Sequence, residues 1–317
     1  MKKRIISVLL ATVFALSVIG CGTKDTKEQD AYRQYGITCM ESGKYEDAVK
    51  AFQNALGESI GHIGEKELDI CFYKAKAQAL DGKTKDALAT YNAIIKYNKD
   101  ARAYYLRGDL YMDMGEEKKG KADFESAVQH GKKNYEIYIG IYESLSRHEK
   151  KDEGQKYLSA AMEIKGDKPE DELYKGRISY LLGENKDAIS YLEKAKEHKQ
   201  MLASYYLGLA YDANGDSDKA KKCIAEYIKS GVATSYDLYE LGMQEMQDGN
   251  YKNALTYFNS GLELEKVPNK QNLMKSAIAA YEYSGDFDSA KKMIKEYLKA
   301  YPDDEEAKHE NTFLETR

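Results

Sequence analysis

The feature that most constrains this chain is an internal repeat of about 34 residues, which recurs eight times. Each copy has a small residue at a fixed place: Ala48, Ala87, Gly120, Gly154, Ala188, Ala220, Ala254 and Ala290. A larger apolar or aromatic residue follows each of them one helical turn later: Phe52, Tyr91, Phe124, Leu158, Leu192, Ile224, Phe258 and Ile294. A glycine stands shortly before all but the fourth: Gly43, Gly82, Gly115, Gly183, Gly215, Gly249 and Gly285. Such spacing predicts a stack of similar units rather than one irregular core.

Each unit is predicted to be a helix, a glycine-bearing turn and a second helix. Glycine adopts a positive φ at little cost and can therefore end the first helix. The small residue lets the two helices approach closely, and the residue one turn later fills the gap. The 317-residue chain has 24 glycines and only 3 prolines, which favours long helices joined by such turns. We therefore expect an all-α protein without appreciable sheet.

This pattern resembles the tetratricopeptide repeat (TPR), whose period is 34 residues. The family's first-helix glycine is matched by Gly36, Gly108, Gly176, Gly208 and Gly242, and its last alanine by Ala55, Ala127, Ala161 and Ala195. The resemblance implies a right-handed α-solenoid of about eight TPR-like repeats over residues 30–302, ending at Pro302. The fourth unit, with no glycine in its turn Ser146–Asp152, and the link Gly57–Gly64 depart from the family pattern. Residues 303–317 are predicted to form a capping helix and tail, since the last repeat needs a polar cover.

The N-terminus has the layout of a secretory signal. Three basic residues, 2–4, precede an uncharged stretch, 5–19, that is shorter than the roughly 20 residues needed to span a bilayer. The stretch leads into Val18-Ile19-Gly20-Cys21, which resembles a bacterial lipobox. The resemblance implies that residues 1–20 are a lipoprotein signal peptide and that Cys21 carries the lipid. A plain signal peptide with an incidental cysteine is the alternative.

A lipid on Cys21 would anchor the protein to the cell membrane, facing outside the cytoplasm. Residues 21–29 are then the lipidated cysteine and a polar tether, and the tether reaches at most roughly 26 Å. The folded part would therefore lie close to the membrane surface.

No residue pattern in the chain predicts catalysis. The five histidines lie in turns or charged stretches, and motifs for zinc, phosphate, dinucleotides or a nucleophilic serine are absent. The remaining cysteines, Cys39, Cys71 and Cys223, are interpreted as small buried hydrophobic residues. The formal net charge is −5, with no basic stripe for a phosphate backbone. We expect no enzymatic activity, no cofactor, no metal site and no nucleic-acid binding.

The TPR resemblance also implies that the first helices line a concave groove. The positions that face this groove in the family hold many aromatic and thioether side chains, which give contact area and adapt their shape. The residues predicted to bind a partner are Tyr105, Tyr180, Tyr205, Leu209, Asp212, Tyr236, Tyr239, Met243 and Met246. The alternative is that these side chains fill the inside of a tight superhelix. The lysine and asparagine set with which some relatives grip acidic chaperone tails is matched only at Lys275.

The function expected from these features is a membrane-anchored, extracytoplasmic scaffold that binds a protein or peptide partner. The acidic chain favours a partner segment in which basic residues flank apolar anchors. Binding of a glycan or peptidoglycan by the groove tyrosines is an alternative, against which the absence of tryptophan counts. A non-catalytic accessory subunit of an envelope complex is another.

Overall fold

The computed structural model describes residues 25–59, 63–166 and 168–317. Within these ranges the chain forms seventeen α-helices and no strand, so the all-α prediction is confirmed. The described residues belong to two compact units, a larger one that ends at Val232 and a smaller one that begins at Ala233. Each unit is built of antiparallel helical hairpins stacked in chain order.

The larger unit contains six hairpins. Their helices are α1 (Asp25–Glu41), α2 (Tyr45–Gly57), α3 (Glu65–Leu80), α4 (Thr84–Asn98), α5 (Ala101–Asp113), α6 (Glu117–His130), α7 (Tyr135–Arg147), α8 (Lys151–Met162), α9 (Pro169–Leu182), α10 (Asn185–Glu197), α11 (Leu202–Ala213) and α12 (Ser217–Lys229). The smaller unit has two hairpins and a last helix. These helices are α13 (Ser235–Gln247), α14 (Tyr251–Leu262), α15 (Lys270–Tyr283), α16 (Phe287–Ala300) and α17 (Glu305–Leu314).

Close contact between a first-helix glycine and a large second-helix residue holds the hairpins together. A Cβ atom built on the glycine would lie only 2.3–2.9 Å from the large side chain in five hairpins: Gly36 against Phe52, Gly108 against Phe124, Gly176 against Leu192, Gly208 against Ile224, and Gly242 against Phe258. The repeating small residues of the second helices are also buried. The predicted spacing of small and large residues therefore describes the packing within each repeat.

The fourth hairpin differs from this arrangement in its first helix. Tyr142 of α7 stands where five other first helices have glycine, and it is buried. Its counterpart on α8 is Gly154, where an added Cβ would lie 3.0 Å from Tyr142 Cδ2. The first helix thus has a large residue in place of the glycine, while the second helix keeps its small residue, Gly154, and its buried large residue, Leu158.

The turns inside the hairpins confirm why glycine recurs there. All seven turn glycines have φ between 71° and 86°, a region that other residues rarely adopt. In the fourth hairpin Glu149 takes this position with φ of 63°. Its amide donates to Ser146 O at 3.1 Å, and the next amide, of Lys150, donates to Leu145 O at 2.8 Å. The turn keeps its geometry at the cost of a strained glutamate.

Replacing Glu149 by glycine is therefore expected to stabilise the larger unit by about 0.5–1 kcal/mol, because relief of the left-handed strain exceeds the added entropy of the unfolded chain. Thermal unfolding followed by circular dichroism measures the change. Gly183→Ala, at the equivalent turn of the next hairpin, is the matched reverse substitution and should lower stability. A Glu149→Gly variant that melts below the wild type would contradict this account.

The N-terminal boundary differs from the sequence prediction. Helix α1 begins at Asp25, so residues 25–29 are helical rather than part of an extended tether. The reason is a contact across the first repeat boundary: the Gln29 amide donates to Glu67 Oε1 at 2.9 Å, and both side chains are buried. The predicted signal peptide and Cys21 lie outside the described residues.

The last helix, α17, packs its apolar side on the preceding hairpin through Ala307 and Leu314. Asp304, at its N-cap, accepts hydrogen bonds from Lys275 Nζ at 2.7 Å, from the Tyr297 hydroxyl at 2.5 Å and from the Ala307 amide at 3.1 Å. The Lys275 ammonium, followed by the Tyr297 hydroxyl, holds the pKa of Asp304 well below its usual range. Helix α17 thus lies where a capping helix was expected, and the carboxylate of Asp304 connects it to the preceding hairpin.

A second carboxylate at this end of the chain responds to pH in the opposite direction. Burial, followed by the charge of Glu310 on α17, raises the pKa of Glu282 on α15 to about 7. The pKa of Glu282 in the folded protein is above its unfolded value near 4.3. Its contribution to the free energy of unfolding is therefore complete at low pH and is lost as pH rises through about 7. Glu282→Gln should therefore raise the melting temperature at pH 8 and leave it nearly unchanged at pH 5. Equal effects at both pH values would contradict a raised pKa for Glu282.

Candidate partner-binding surface

Neighbouring first helices of the larger unit lie side by side, and ion pairs connect them. Helix α1 contacts α3, α5 contacts α7, and α9 contacts α11. The connecting pairs are Arg33 Nη2 with Asp69 Oδ2 at 2.6 Å, Arg147 Nη2 with Asp109 Oδ1 at 2.5 Å, and Arg177 with Glu143 Oε1 at 3.0 Å and Glu136 Oε2 at 3.4 Å. The first-helix layer is therefore held by charges as well as by apolar packing.

These ion pairs are partly removed from water. Burial raises the pKa of Asp109 and of Glu143, even though Arg147 and Arg177 lie against them. The Arg177 guanidinium also lies 5.4 Å from the ring centre of Tyr206 on α11, a cation–π distance. A single arginine thus links α7, α9 and α11.

The structure places the predicted tyrosines of the larger unit against their own neighbours. Tyr105 points at the backbone of the next first helix, where a Cβ on Gly140 would lie 2.6 Å from Tyr105 Cζ. The ring of Tyr205 lies 5.1 Å from that of Tyr206 and 5.3 Å from that of Tyr227. Both Tyr105 and Tyr205 are half-buried. Their packing accounts for much of the aromatic surface that the sequence assigned to a partner.

Three other predicted residues occur together on α9 and α11. Tyr180 and Leu209 are half-buried and Asp212 is exposed. Burial, followed by the negative charge of Asp212, raises the pKa of Tyr180, so the carboxylate lies close to the phenol. These three residues are called here the α9–α11 patch. The patch combines a phenol, an apolar side chain and the carboxylate of Asp212, which forms no ion pair in the described part of the chain.

The remaining predicted residues lie on α13 in the smaller unit. Tyr239, Met243 and Met246 pack on the cluster around Phe258 and Leu273, with the Tyr239 and Phe258 ring centres 6.2 Å apart. The Met243 sulfur accepts a 3.6 Å contact from the Ser276 hydroxyl of α15. Tyr236 is half-buried on the same helix. These residues join α13 to its neighbours within the smaller unit.

The cysteines lie among packed helices. Cys39 and Cys223 are buried and Cys71 is half-buried, and all three are free thiols. Burial raises the pKa of Cys71 and of Cys223, which keeps both thiols protonated at neutral pH.

Models of known families match four stretches of the chain. Three models described as tetratricopeptide repeats match residues 36–95, residues 101–129, and residues 202–230 together with 271–304. The chain contains tetratricopeptide repeats. The matched stretches fall on hairpins of both units, which confirms the repeat assignment made from the spacing of small residues.

Several solved structures are similar to this TPR chain. A tetratricopeptide repeat protein from Parabacteroides merdae is 12% identical with a TM-score of 0.47, and the match covers 80% of this chain and 99% of that one. PilW, a type IV pilus biogenesis factor, is 16% identical with a TM-score of 0.43, over 78% and 99%. The APC/C hetero-tetramer Cut9–Hcn1 is 15% identical with a TM-score of 0.44, over 92% and 57%. No curated protein matches the chain.

TPR domains are typically non-catalytic scaffolds. In residues 25–59, 63–166 and 168–317, no group of three or more His, Cys, Asp or Glu side chains is placed to hold a metal ion. Over the same ranges, no helix has both the length and the apolar character that crossing a membrane requires.

Sequence reasoning missed the polar side of the first-helix layer, namely Asp69, Glu136, Glu143 and Arg147. The position of some of these charges within the repeat could have indicated the ion pairs. Asp109, Glu143 and Arg177 each follow directly after the first-helix position that faces the second helix, in three consecutive repeats. Charges of both signs at one repeat position indicate pairing between adjacent units.

Proposed function

We propose that this TPR protein is a membrane-anchored, extracytoplasmic scaffold that binds a segment of a partner protein on the first helices of its larger unit. The observation that carries the proposal is the α9–α11 patch, where Tyr180, Leu209 and Asp212 remain accessible to different degrees. Asp109 and Glu143 are paired with Arg147 and Arg177, whereas Asp212 has no ion pair among the described residues.

The chemistry of the patch favours a partner side chain with an apolar stem and a positive end. A tyrosine and a leucine offer contact area at low entropy cost, and a nearby carboxylate attracts an ammonium or guanidinium group. A partner segment with lysine or arginine beside an apolar residue would meet both requirements. The mild overall acidity of the chain favours the same partner.

The anchor is a separate part of the proposal and rests on the lipobox at Cys21. Cys21→Ser should prevent lipid transfer, because serine lacks the thiol that receives the diacylglycerol. Labelling cells with radioactive palmitate and isolating the protein measures this directly. Incorporation of label into the Cys21→Ser variant would rule out the anchor and leave the binding proposal standing.

The binding proposal is tested by charge reversal at Asp212. Crosslinking in intact cells identifies the partner, and titration of the purified proteins measures its affinity. Asp212→Lys is expected to weaken binding by about tenfold, mainly through slower association, and to reduce its dependence on salt. Leu209→Ala is expected to weaken binding by about five- to tenfold, since an apolar contact is lost.

Glu197→Lys is the matched control for Asp212→Lys. Glu197 is likewise exposed and near the C-terminal end of its helix, but it belongs to α10, a second helix. A lysine near the C-terminal end of a helix is compatible with the helix dipole in both α10 and α11, so both variants should melt like the wild type. Equal loss of affinity in both variants would show a general charge effect, and unchanged affinity in Asp212→Lys and Leu209→Ala would remove the patch from the binding site.

Tyr105, Tyr205, Tyr236, Tyr239, Met243 and Met246 stay predicted partner contacts. Because several of them pack within their own unit, alanine at these positions would change stability and affinity together. Met243→Leu keeps the volume and removes the flexible thioether, which makes it the more informative variant in the smaller unit.

A further inference from the structure

The outer face of α1 exposes two tyrosines. Tyr35 retains 57% of its accessible surface and Tyr32 retains 37%. Glu28, Ala31 and Thr38 are also exposed and lie on the same side of the helix, since residues three, four and seven apart share a face. The opposite side of α1 packs into the first hairpin through Ile37 and Met40, and Cys39, one turn after Tyr35, ends the exposed face because it is buried.

In four later repeats the position of Tyr35 holds a buried apolar residue, and in the other three it holds a half-buried Lys74, Arg107 or Lys175. Ile141 packs with Phe124 and Ala127 of the preceding second helix, and Leu207 packs in the same way with Leu192. Helix α1 is the first described helix of the larger unit, and no described helix precedes it. A position that is buried and apolar in four later repeats therefore holds an exposed aromatic ring in α1.

The chain length between Cys21 and α1 limits how far this face can be from an anchor. Asp25, the first residue of α1, comes only four positions after Cys21, so the two Cα atoms are at most roughly 14 Å apart. This is about half the reach that a tether up to residue 29 would allow. Tyr32 and Tyr35 lie roughly 10 and 15 Å further along the helix axis.

We propose that the outer face of α1 rests on the membrane surface, with Tyr32 and Tyr35 at the level of the lipid headgroups. The proposal rests on the lipid anchor at Cys21 put forward above. Tyrosine suits this level because its ring is apolar and its hydroxyl reaches water. A helix on the surface also removes the exposed aromatic face from water, as a preceding second helix does in later repeats.

The charges on α1 indicate which lipids suit this contact. Asp30 is paired with Lys66 at 2.6 Å, whereas Glu28 and Glu41 are exposed on the helix. Excess negative charge disfavours strongly anionic headgroups. The contact is therefore with zwitterionic lipid, and phosphatidylcholine vesicles are a sufficient probe.

The chain has no tryptophan, so a single tryptophan can report on its own surroundings. Tyr35→Trp is purified as the complete lipoprotein and reconstituted into phosphatidylcholine vesicles, with and without brominated acyl chains that quench nearby indoles. Met201→Trp is the control, because Met201 is 45% exposed and directly precedes α11, in the last hairpin of the same unit. Mass spectrometry of the N-terminal peptide establishes whether Cys21 is lipidated.

The expected result is about a twofold loss of Tyr35→Trp emission in brominated vesicles and a shift to shorter wavelength, with little change for Met201→Trp. Lipidated protein on vesicles without quenching of Tyr35→Trp would overturn the proposal and leave the anchor intact. A blue shift of Tyr35→Trp emission in vesicles without quenching by the brominated chains would show that protein, such as a second copy of the chain, covers α1 instead, and would also overturn the proposal. Absence of lipid on Cys21 would overturn both the anchor and this contact.

Discussion

Gly242→Ala is expected to destabilise the smaller unit by about 2 kcal/mol, although alanine is the better helix former. The added Cβ would lie 2.3 Å from Cε1 and 2.5 Å from Cδ1 of Phe258, whose ring is fully buried and cannot move aside. The clash therefore outweighs the gain of about 1 kcal/mol that alanine brings to a helix interior. Denaturant unfolding followed by circular dichroism measures the difference.

Gly57→Ala is the control for this substitution. Gly57 ends α2, and no atom lies within 4 Å of the place that a Cβ would take there, so the variant should be as stable as the wild type or slightly more stable. The double variant Gly242→Ala/Phe258→Leu should be less unstable than the sum of the two single changes, because the smaller side chain relieves the clash. Strict additivity would mean that the two residues do not touch.

Arg177→Met is expected to cost the larger unit about 2–3 kcal/mol. Removing the guanidinium leaves the Glu136 and Glu143 carboxylates without the cation that they share, in a setting where burial already raises the pKa of Glu143. The expected cost is below that for a fully buried pair because water reaches both glutamates, whose side chains are 38% and 33% exposed.

The same variant should depend on pH in a defined direction. Without Arg177 the pKa of Glu143 rises further above its unfolded value, so the loss is greatest at pH 8 and shrinks as pH falls through the raised pKa toward 5. Adding Glu136→Gln and Glu143→Gln should restore most of the stability at pH 8. Lys50→Met breaks an exposed pair with Glu46 and should have almost no effect at either pH. A loss for Arg177→Met that does not vary with pH would indicate lost packing rather than unpaired charge.

The hairpins could be predicted because their determinants are local and recur. Gly242 and Phe258 are separated by one turn and part of two helices, and the same pair appears as Gly36 with Phe52 and as Gly108 with Phe124. The φ of Glu149 was implied by the same repetition, since the seven other hairpins have glycine at this place in the turn. Periodicity thus carries the information on turns and on packing within a repeat.

The surface of the first helices could be predicted only in part, because contacts between repeats decide which of its side chains are buried or paired. Tyr105 occupies a groove position of the family, yet Gly140 of the next first helix leaves room for its ring. Arg177 and Glu143 are 34 residues apart, and their pairing depends on how far one hairpin is displaced along the next. The start of α1 was missed for a similar reason, since Gln29 is held by Glu67 of the following repeat.

The contact between Tyr142 and Gly154 in the fourth hairpin limits how these repeats can be recombined. A chimera that joined α7 to α10 would set Tyr142 against Ala188 in addition to Leu192, with no glycine to receive its ring. Joining α8 to α9 would set Gly154 and Gly176 together beside Leu158, which is smaller than the Phe124 that packs between Gly108 and Gly120 in the third hairpin, and would leave a void. Whole hairpins, by contrast, carry their small and large partners with them. The hairpin, not the single helix, is therefore the smallest segment that duplication or shuffling can exchange in this protein without damage to its core.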